Sequence, residues 1–393
     1  MNSDIYKLFF ELIQVAVGNR DGLSRVPTAG EWLAIYDESE KQAIIGVMVA
    51  GLERLPKEQR PEQELLLQWI GISEQTRHGN LSLTKRCKQL QRKVSELGHK
   101  SSILKGQGVA LYYDEPLRDL RQSGDIDIFV GCGLKGTMEV ARQLGIEEPR
   151  WDYKHLHLDI FEDAEVEMHY RVEVMLNLRK NRVLQKWFKN HEEEIFDTKD
   201  FKQSRIRELE NTGHTENTKN TERLVTPTVE FNVFYILLHI YRHFLYEGVG
   251  MRQLMDYYFV LKKSYLSRIG ELENSTNQTN YAFDAIKEFE MERFAKGVMW
   301  VMQEVFALDR KHMIAEPLES EGRFILNEVM TGGNFGHYDE RINKRHNGKL
   351  FTVMAICKHN WHLLWHYPSE IIWPPVWFVW HKCWKIRTQR NLK

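Results

Sequence analysis

Cysteine, long apolar runs and net charge are what this sequence has least of. Only four of its 393 residues are cysteine, and none of the four shows the CxxC spacing. This scarcity argues against a disulfide framework and a zinc ribbon, and it is typical of a reducing compartment. No window contains the roughly 18 apolar residues of a membrane span, and the first residues lack the basic and apolar stretches of a secretory signal. We therefore expect a cytoplasmic protein.

The near-zero net charge hides a strong asymmetry along the chain. Residues 341–393 contain ten Lys or Arg residues and one acid, Glu370, for a net charge of +9. The remainder therefore carries −10 out of the total of −1. Such a division predicts an acidic body and a basic C-terminal segment.

Apolar spacing predicts an α+β protein with a small mixed sheet flanked by helices. Helices are predicted over residues 4–17 and 38–53, and one long helix over Pro61–Gly98. Alternating residues then predict strands at 101–106 and 125–131 and a hairpin over 154–173. A polar stretch, rich in Asn, Thr and Glu, follows before helices resume. The predicted division is an N-terminal helical region (1–100), an α/β core (101–200), a linker (201–226), a helical region (227–345) and a basic tryptophan-rich segment (346–393).

Two aspartates stand inside the strand "DIDIFVG". Side chains two residues apart share one face of a strand, so Asp125 and Asp127 point the same way while Ile126 and Ile128 enter the core. Two neighbouring carboxylates repel each other unless a cation lies between them, and Mg²⁺ prefers such oxygen ligands. We therefore expect that Asn at either position leaves the metal-free protein equally stable or more stable.

The second hairpin strand repeats the acidic alternation. Asp163, Glu165 and Glu167 share a face with His169, and any of the three acids can supply a third ligand if this strand lies beside the first. Upstream, a Lys105-Gly106 turn precedes a short helix, and glycine there lets backbone N–H groups approach a phosphate. Two later arginines, Arg118 and Arg121, can add charge-assisted contacts to a triphosphate.

These stretches together resemble a known family. "LKGQGVALYY", "LRDLRQSGDIDIFV" and "VEMHYRV" are similar to the nucleotidyltransferase superfamily, which has the DNA polymerase β-like fold, and within it to the bacterial family NTP_transf_5. The family has a Lys-Gly after its first strand, an arginine before an Asp-x-Asp, and a later Glu-x-His. A histidine-bearing helix followed by an Arg and an Asp one turn apart completes the pattern. The wider superfamily has Gly-Ser at the turn, where this chain has Gly106-Gln107. The matching helical residues are His239, His243, Arg252 and Asp256.

The resemblance implies transfer of a nucleoside monophosphate from an NTP to an unknown acceptor. Asp125 and Asp127 would hold two Mg²⁺ or Mn²⁺ ions, and Glu167, chosen on the Glu-x-His match, would complete the second site. One ion would activate the acceptor oxygen and the other would neutralise the pyrophosphate leaving group. The alternative is a non-catalytic binding module with a degenerate core in a membrane-linked assembly. The implied nucleotide contacts are Lys105, Gly106, Gln107, Arg118 and Arg121.

Other clusters have two interpretations each. His155 and His157 share a strand face with Asp159, either as a metal trio or as a strand that faces the cleft. His239 and His243 are one helical turn apart, as are Arg252 and Asp256, which is also the spacing of an ordinary helix ion pair.

The C-terminal segment is rich in tryptophan as well as basic. Six of the eleven tryptophans lie between residues 361 and 384, and Pro374-Pro375 predicts the start of a helix. One interpretation is peripheral contact with an anionic membrane, which would place the protein at the inner face of the membrane. The other is a helix that packs its tryptophan stripe on the body. The apolar density argues against nucleic-acid binding.

Overall fold

The computed structural model describes residues 3–196, 223–272, 281–339 and 361–392. These residues form helices and one five-stranded mixed sheet, so the predicted α+β fold is confirmed. The strands are β1 (Ser101–Ile103), β2 (Ile126–Val130), β3 (Arg150–Trp151), β4 (His155–Leu158) and β5 (Val166–His169).

The helices precede, interrupt and follow these strands. In chain order they are α1 (Ser3–Ala16), α2 (Ala29–Lys41), α3 (Ile45–Arg54), α4 (Gln63–Glu96), α5 (Gln107–Ala110), α6 (Leu117–Leu120), α7 (Gly133–Gln143), α8 (Leu178–Asn190), α9 (Glu192–Ile195), α10 (Val229–Tyr246), α11 (Met251–Leu272), α12 (Tyr281–Glu288), α13 (Glu292–Phe306), α14 (Glu319–Gly332), α15 (Pro368–Ile371) and α16 (Pro374–Leu392).

The chain divides into two compact units, each built from several segments. The helical unit contains residues 1–80, 112–122 and 233–371, and the sheet unit contains residues 81–111, 123–232 and 372–393. The predicted division into five consecutive segments stays a prediction. Most of its linker, 201–226, lies outside the described residues.

Hydrogen bonds between neighbouring strands define the sheet, whose strand order is β1-β2-β5-β4-β3. Strands β2 and β5 pair in parallel, and the other neighbours pair antiparallel. The side chains of Ile126, Ile128 and Met168 enter one hydrophobic cluster with apolar residues of α4 and α7, including Leu90 and Val140. This face is therefore the core of the sheet unit, and the alternate side chains occupy the opposite face.

The described end of the predicted linker lies against β1. The N–H of Ile103 donates to the carbonyl oxygen of Val225 at 2.9 Å, and Gln91 contacts both the N–H and the carbonyl of Val225. Leu224 is buried in the same cluster. The described residues just before α10 therefore belong to the sheet unit.

The predicted continuous helix over residues 38–53 is wrong, because α2 ends at Lys41 and α3 begins at Ile45. Ala43 between them has a positive φ of 55°. The side chain of Gln42 donates to Glu38 at 2.8 Å and accepts the N–H of Met251 at 2.9 Å. Contacts from a distant part of the chain thus stabilise the break, which local apolar spacing cannot reveal.

The predicted C-terminal helix is found as α16, with its tryptophans on the inner side. Trp377, Trp380 and Trp384 are half-buried, and each contacts the ring of Tyr153 edge-on at 4.7–5.2 Å. Lys385 donates to the carbonyl oxygen of Trp151 at 3.4 Å. Packing on the body is therefore the interpretation that the contacts support. Among the described helices, none combines the length and the apolar character that crossing a bilayer requires.

We predict that two glycine substitutions in the helical unit have opposite effects on stability. A Cβ at Gly46 in α3 would lie 2.4 Å from the carbonyl oxygen of Leu120, whereas a Cβ at Gly71 in α4 meets nothing within 4 Å. Gly46→Ala should lower the free energy of unfolding by about 1–3 kcal/mol, as overpacking does. Gly71→Ala should raise it by about 0.5–1 kcal/mol because alanine loses less backbone entropy in a helix. Urea denaturation of both variants tests this, and an unchanged midpoint for Gly46→Ala would contradict it.

Candidate active site

The parallel pairing of β2 with β5 brings three carboxylates together. Asp127 and Glu167 are direct partners in this register, and Asp125 stands two residues upstream, just before β2 begins. The ligand oxygens of these three residues all lie within 4.8 Å of one another. The other two acids of the alternating strand are exposed, and Asp163 contacts Ser82 and Arg86 instead. The arrangement therefore brings together the predicted trio, and the role of each member as a metal ligand stays a prediction.

Two basic groups contact the most buried of these carboxylates. The Lys105 ammonium lies 2.8 Å from Asp127 Oδ1, and His169 Nε2 lies 2.9 Å from the same oxygen. His169 Nε2 also lies 3.4 Å from Glu167 Oε2. Its other nitrogen, Nδ1, is 3.2 Å from the carbonyl oxygen of Arg171 and donates to it. With Nδ1 protonated, Nε2 can donate to Asp127 only as part of an imidazolium.

The pKa shifts follow from this charge arrangement. Burial alone would raise the pKa of Asp127, but the Lys105 ammonium and the His169 hydrogen bond hold it well below its usual value. Burial would lower the pKa of His169, and its hydrogen bonds to Asp127 and Glu167 raise it. Burial would likewise lower the pKa of Lys105, which the charges of Asp127, Asp125 and Glu167 raise. Lys105 is therefore charged at neutral pH, and the hydrogen bonds of His169 favour its charged form.

Asp125 is different from its two neighbours. The negative charge of Asp127, followed by burial, raises the pKa of Asp125 above its ordinary value. For Glu167, burial would raise the pKa, but the hydrogen bond from His169 lowers it. Asp125 thus bears repulsion from its neighbours that the Lys105 charge only partly offsets, and a bound cation would relieve it. Three converging carboxylates with this residual repulsion fit a hard divalent cation such as Mg²⁺ or Mn²⁺, which takes oxygen ligands.

The turn before α5 lies next to Asp125. Gly106 has a φ of +54°, a conformation that glycine adopts readily, and the position of its Cβ would be 3.6 Å from the carbonyl oxygen of Asp125. The N–H of Leu104 donates to the carbonyl oxygen of Asp127 at 3.0 Å. Gln107 is buried at the start of α5. Lys105, Gly106 and Gln107 are therefore close to the carboxylates, and their predicted phosphate contacts stay predictions.

The two predicted arginines belong to the helical unit. Arg121 is buried and forms a two-pronged ion pair with Asp256, with Nε–Oδ1 at 2.6 Å and Nη2–Oδ2 at 2.7 Å. The Tyr113 hydroxyl donates to the same carboxylate at 2.7 Å. Arg118 forms a surface pair with Glu115 at 2.8 Å. Sequence reasoning missed the pairing of Arg121 with Asp256, and the nucleotide contacts of both arginines stay predictions.

We predict that Asp256→Asn strongly destabilises the metal-free and nucleotide-free protein. The change would leave the buried guanidinium of Arg121 without its counter-charge, at a cost of about 3–5 kcal/mol. Asp114→Asn is the matched control, since Asp114 pairs with Lys262 on the surface and is 64% exposed. That change should cost less than about 1 kcal/mol. Chemical denaturation measures both, and equal midpoints for the two variants would contradict the structural role of the Arg121–Asp256 pair.

The comparison with protein families supports the resemblance seen in the sequence. A family described as "Uncharacterised nucleotidyltransferase", NTP_transf_5, matches residues 28–307. No curated protein and no solved structure matches the chain. The family match covers more than half of the chain and includes every strand of the sheet and all three carboxylates. The chain therefore belongs to the NTP_transf_5 family of uncharacterised nucleotidyltransferases.

Proposed function

We propose that this protein transfers a nucleoside monophosphate from an NTP to an acceptor in a reaction that depends on Mg²⁺ or Mn²⁺. The observation that carries the proposal is the convergence of Asp125, Asp127 and Glu167 on one face of the sheet, with their oxygens within 4.8 Å of one another. Family membership supports the reaction class, and the donor set supports the choice of a hard divalent cation.

In this proposal the three carboxylates bind the metal ion and balance its positive charge. Bound Mg²⁺ would supply Lewis-acid activation of the acceptor oxygen and charge neutralisation at the leaving pyrophosphate. The chain itself contributes mainly positioning, because phosphoryl-type transfer needs little covalent chemistry from the protein. Lys105 contacts Asp127 and lies in the turn before α5. Its ammonium group is therefore positioned to contact a triphosphate at this site.

His169 has a positioning role in this proposal. It is fully buried, contacts both Asp127 and Glu167, and is anchored by the carbonyl oxygen of Arg171. A rigid ring between two strands fixes the distance between their carboxylates. The imidazolium also reduces their mutual repulsion when no metal is bound, which allows the acidic face to form during folding.

The alternative proposal from another class is a non-catalytic binding module. It predicts that NTP binding does not depend on metal, because a degenerate core would not bind the triphosphate through a metal ion. Isothermal titration of each NTP into the full chain, with and without Mg²⁺, distinguishes the two. The acceptor is best sought by incubation with labelled NTPs and cell lysate, followed by identification of the labelled product.

We predict that Asp125→Asn lowers transfer activity without lowering the stability of the metal-free protein. The change should lower transfer by at least about 100-fold, the order expected when a group that stabilises charge at the reacting phosphate is lost. The raised pKa of Asp125 means that its charged form costs stability in the folded protein at neutral pH, so Asn should leave the metal-free melting temperature level or higher. Glu165→Gln, at an exposed position just before β5, is the control and should retain activity.

The expectation for Asp127→Asn changes in the light of the structure. Its carboxylate compensates the buried Lys105 and His169, so Asn should lower stability as well as activity. Melting curves alongside transfer assays therefore separate the two aspartates. Full transfer activity in Asp125→Asn would overturn the metal assignment, as would activity that survives Glu167→Gln and is lost in Glu165→Gln.

We also propose weak binding of α16 to anionic lipid surfaces. With its tryptophans turned to Tyr153, the helix exposes Phe378 (69%) and Val379 (63%) on its other side. Exposed Lys382 and Arg387 flank these apolar side chains. This pairing suits an anionic membrane surface, where each basic residue contributes about 1 kcal/mol.

We predict that the full chain co-sediments with phosphatidylserine-containing vesicles at low salt and is released as salt rises, since exposed charges are screened. Phe378→Ser should weaken this binding without loss of the melting transition. Leu81→Ser is the control, because Leu81 is similarly exposed (56%) on α4. Equal binding of both variants, or equal binding to neutral vesicles, would contradict the proposal.

A further inference from the structure

A second cluster of metal-ligating groups lies on the edge of the sheet beyond the three carboxylates. We propose that Asp152, His155 and His157 bind a Zn²⁺ ion or a similar transition-metal ion, separately from the carboxylate trio. Their ligand atoms all lie within 4.8 Å of one another. The proposal does not depend on nucleotidyl transfer, because none of these three residues belongs to the proposed catalytic trio.

The two histidine rings are arranged as they would be around one ion. His155 Nε2 and His157 Nε2 face each other at 3.2 Å. A tetrahedral ion with metal–nitrogen bonds of about 2.0–2.1 Å holds two ligand nitrogens about 3.3 Å apart. Asp152 Oδ2 lies 3.5 Å from His155 Nε2, which is close to the same spacing. The His155–His157 and Asp152–His155 pairs thus have the separations of neighbouring metal ligands, and the Asp152–His157 pair lies within 4.8 Å.

The β3–β4 connection fixes the third ligand. Asp152 Oδ1 accepts the backbone N–H groups of Lys154 at 2.7 Å and His155 at 3.0 Å. These bonds hold one oxygen of the carboxylate in the turn and direct the other toward the rings. The alternating strand pattern pointed to Asp159 as the neighbouring acid, but the turn supplies Asp152 instead. Asp152 lies in a turn, so neither the two-residue repeat of a strand nor the 3.6-residue repeat of a helix could identify it from the sequence.

A carboxylate lies near the far nitrogen of His155, at an ion-pair distance but without the geometry of a hydrogen bond. The His155 side chain is only 9% exposed, and Nδ1 lies 3.3 Å from Glu167 Oε2 while Nε2 faces His157. A carboxylate on the far nitrogen orients a ligating imidazole and makes it a stronger donor. Glu167 would therefore take part in two sites, as a ligand in the carboxylate trio and as the outer partner of His155.

A hydrogen bond between the two rings is the simpler explanation of the 3.2 Å distance. It accounts for the distance between the two rings. It does not explain why an Asp152 oxygen also points toward the rings or why Glu167 lies near the far nitrogen of His155. A set of two nitrogens and one oxygen suits Zn²⁺ and other borderline ions, whereas Mg²⁺ prefers oxygen. Three protein ligands leave a fourth position for water or substrate, and the 45% exposure of the Asp152 side chain keeps that position accessible.

The test is a Zn²⁺ titration of the metal-free full chain in excess Mg²⁺, with a chromophoric chelator as competitor. Excess Mg²⁺ occupies the carboxylate trio, so we expect one further equivalent of Zn²⁺ to bind. Co²⁺ in place of Zn²⁺ should give the visible absorption of a four-coordinate, nitrogen-containing site. Asp125→Asn should retain this ion, which makes the result independent of the proposed transfer activity.

His157→Ala should lose the ion, and His78→Ala, at an exposed position on α4, is the matched control. Glu167→Gln should weaken Zn²⁺ binding about 10- to 100-fold through His155. If His157→Ala fails to fold, His157→Gln provides the same comparison with a smaller change in volume. Zn²⁺ binding that survives His157→Ala, that is lost in Asp125→Asn, or that is absent from the unchanged chain would overturn the proposal.

Discussion

The parallel register of β2 against β5 is the constraint on which the rest of this site depends. It sets Asp127 beside Glu167 on one face and Ile128 beside Met168 on the other. A slip of one residue would turn the carboxylates into the hydrophobic cluster of α4 and α7, where their charges would have no partner. The buried apolar side chains therefore enforce the acidic face, so the stability of the sheet and the proposed catalytic role of the carboxylates depend on the same pairing.

The acidic face also needs positive charge before any metal arrives. Lys105 and His169 converge on a single oxygen of Asp127, so the most deeply buried carboxylate is compensated by the chain itself. Asp125 lies just before β2 begins and is exposed, so it is accessible to a ligand at this end of the strand. Asp127 is thus compensated within the protein, whereas the proposed metal site would depend mainly on Asp125, two residues away.

Local patterns predicted most of what lies along the strands and little of what joins distant segments. Alternation identified the carboxylate pair and the acidic partner strand, because side-chain direction repeats every two residues. It could not identify the pairing of Arg121 with Asp256, which are 135 residues apart, or the break at Ala43. Both depend on tertiary contacts. The roles of the individual site residues remain predictions for the same reason, since a ligand set is defined by what binds to it.

The ring cluster around Tyr153 has a consequence for observation. Trp377, Trp380 and Trp384 meet one tyrosine, and Trp380 and Trp384 also lie nearly parallel at 6.3 Å from each other. Asymmetric, fixed aromatic surroundings produce near-ultraviolet circular dichroism, which vanishes when side-chain packing is lost. Since Tyr153 directly follows Asp152, this aromatic signal provides a built-in optical probe of the turn between β3 and β4.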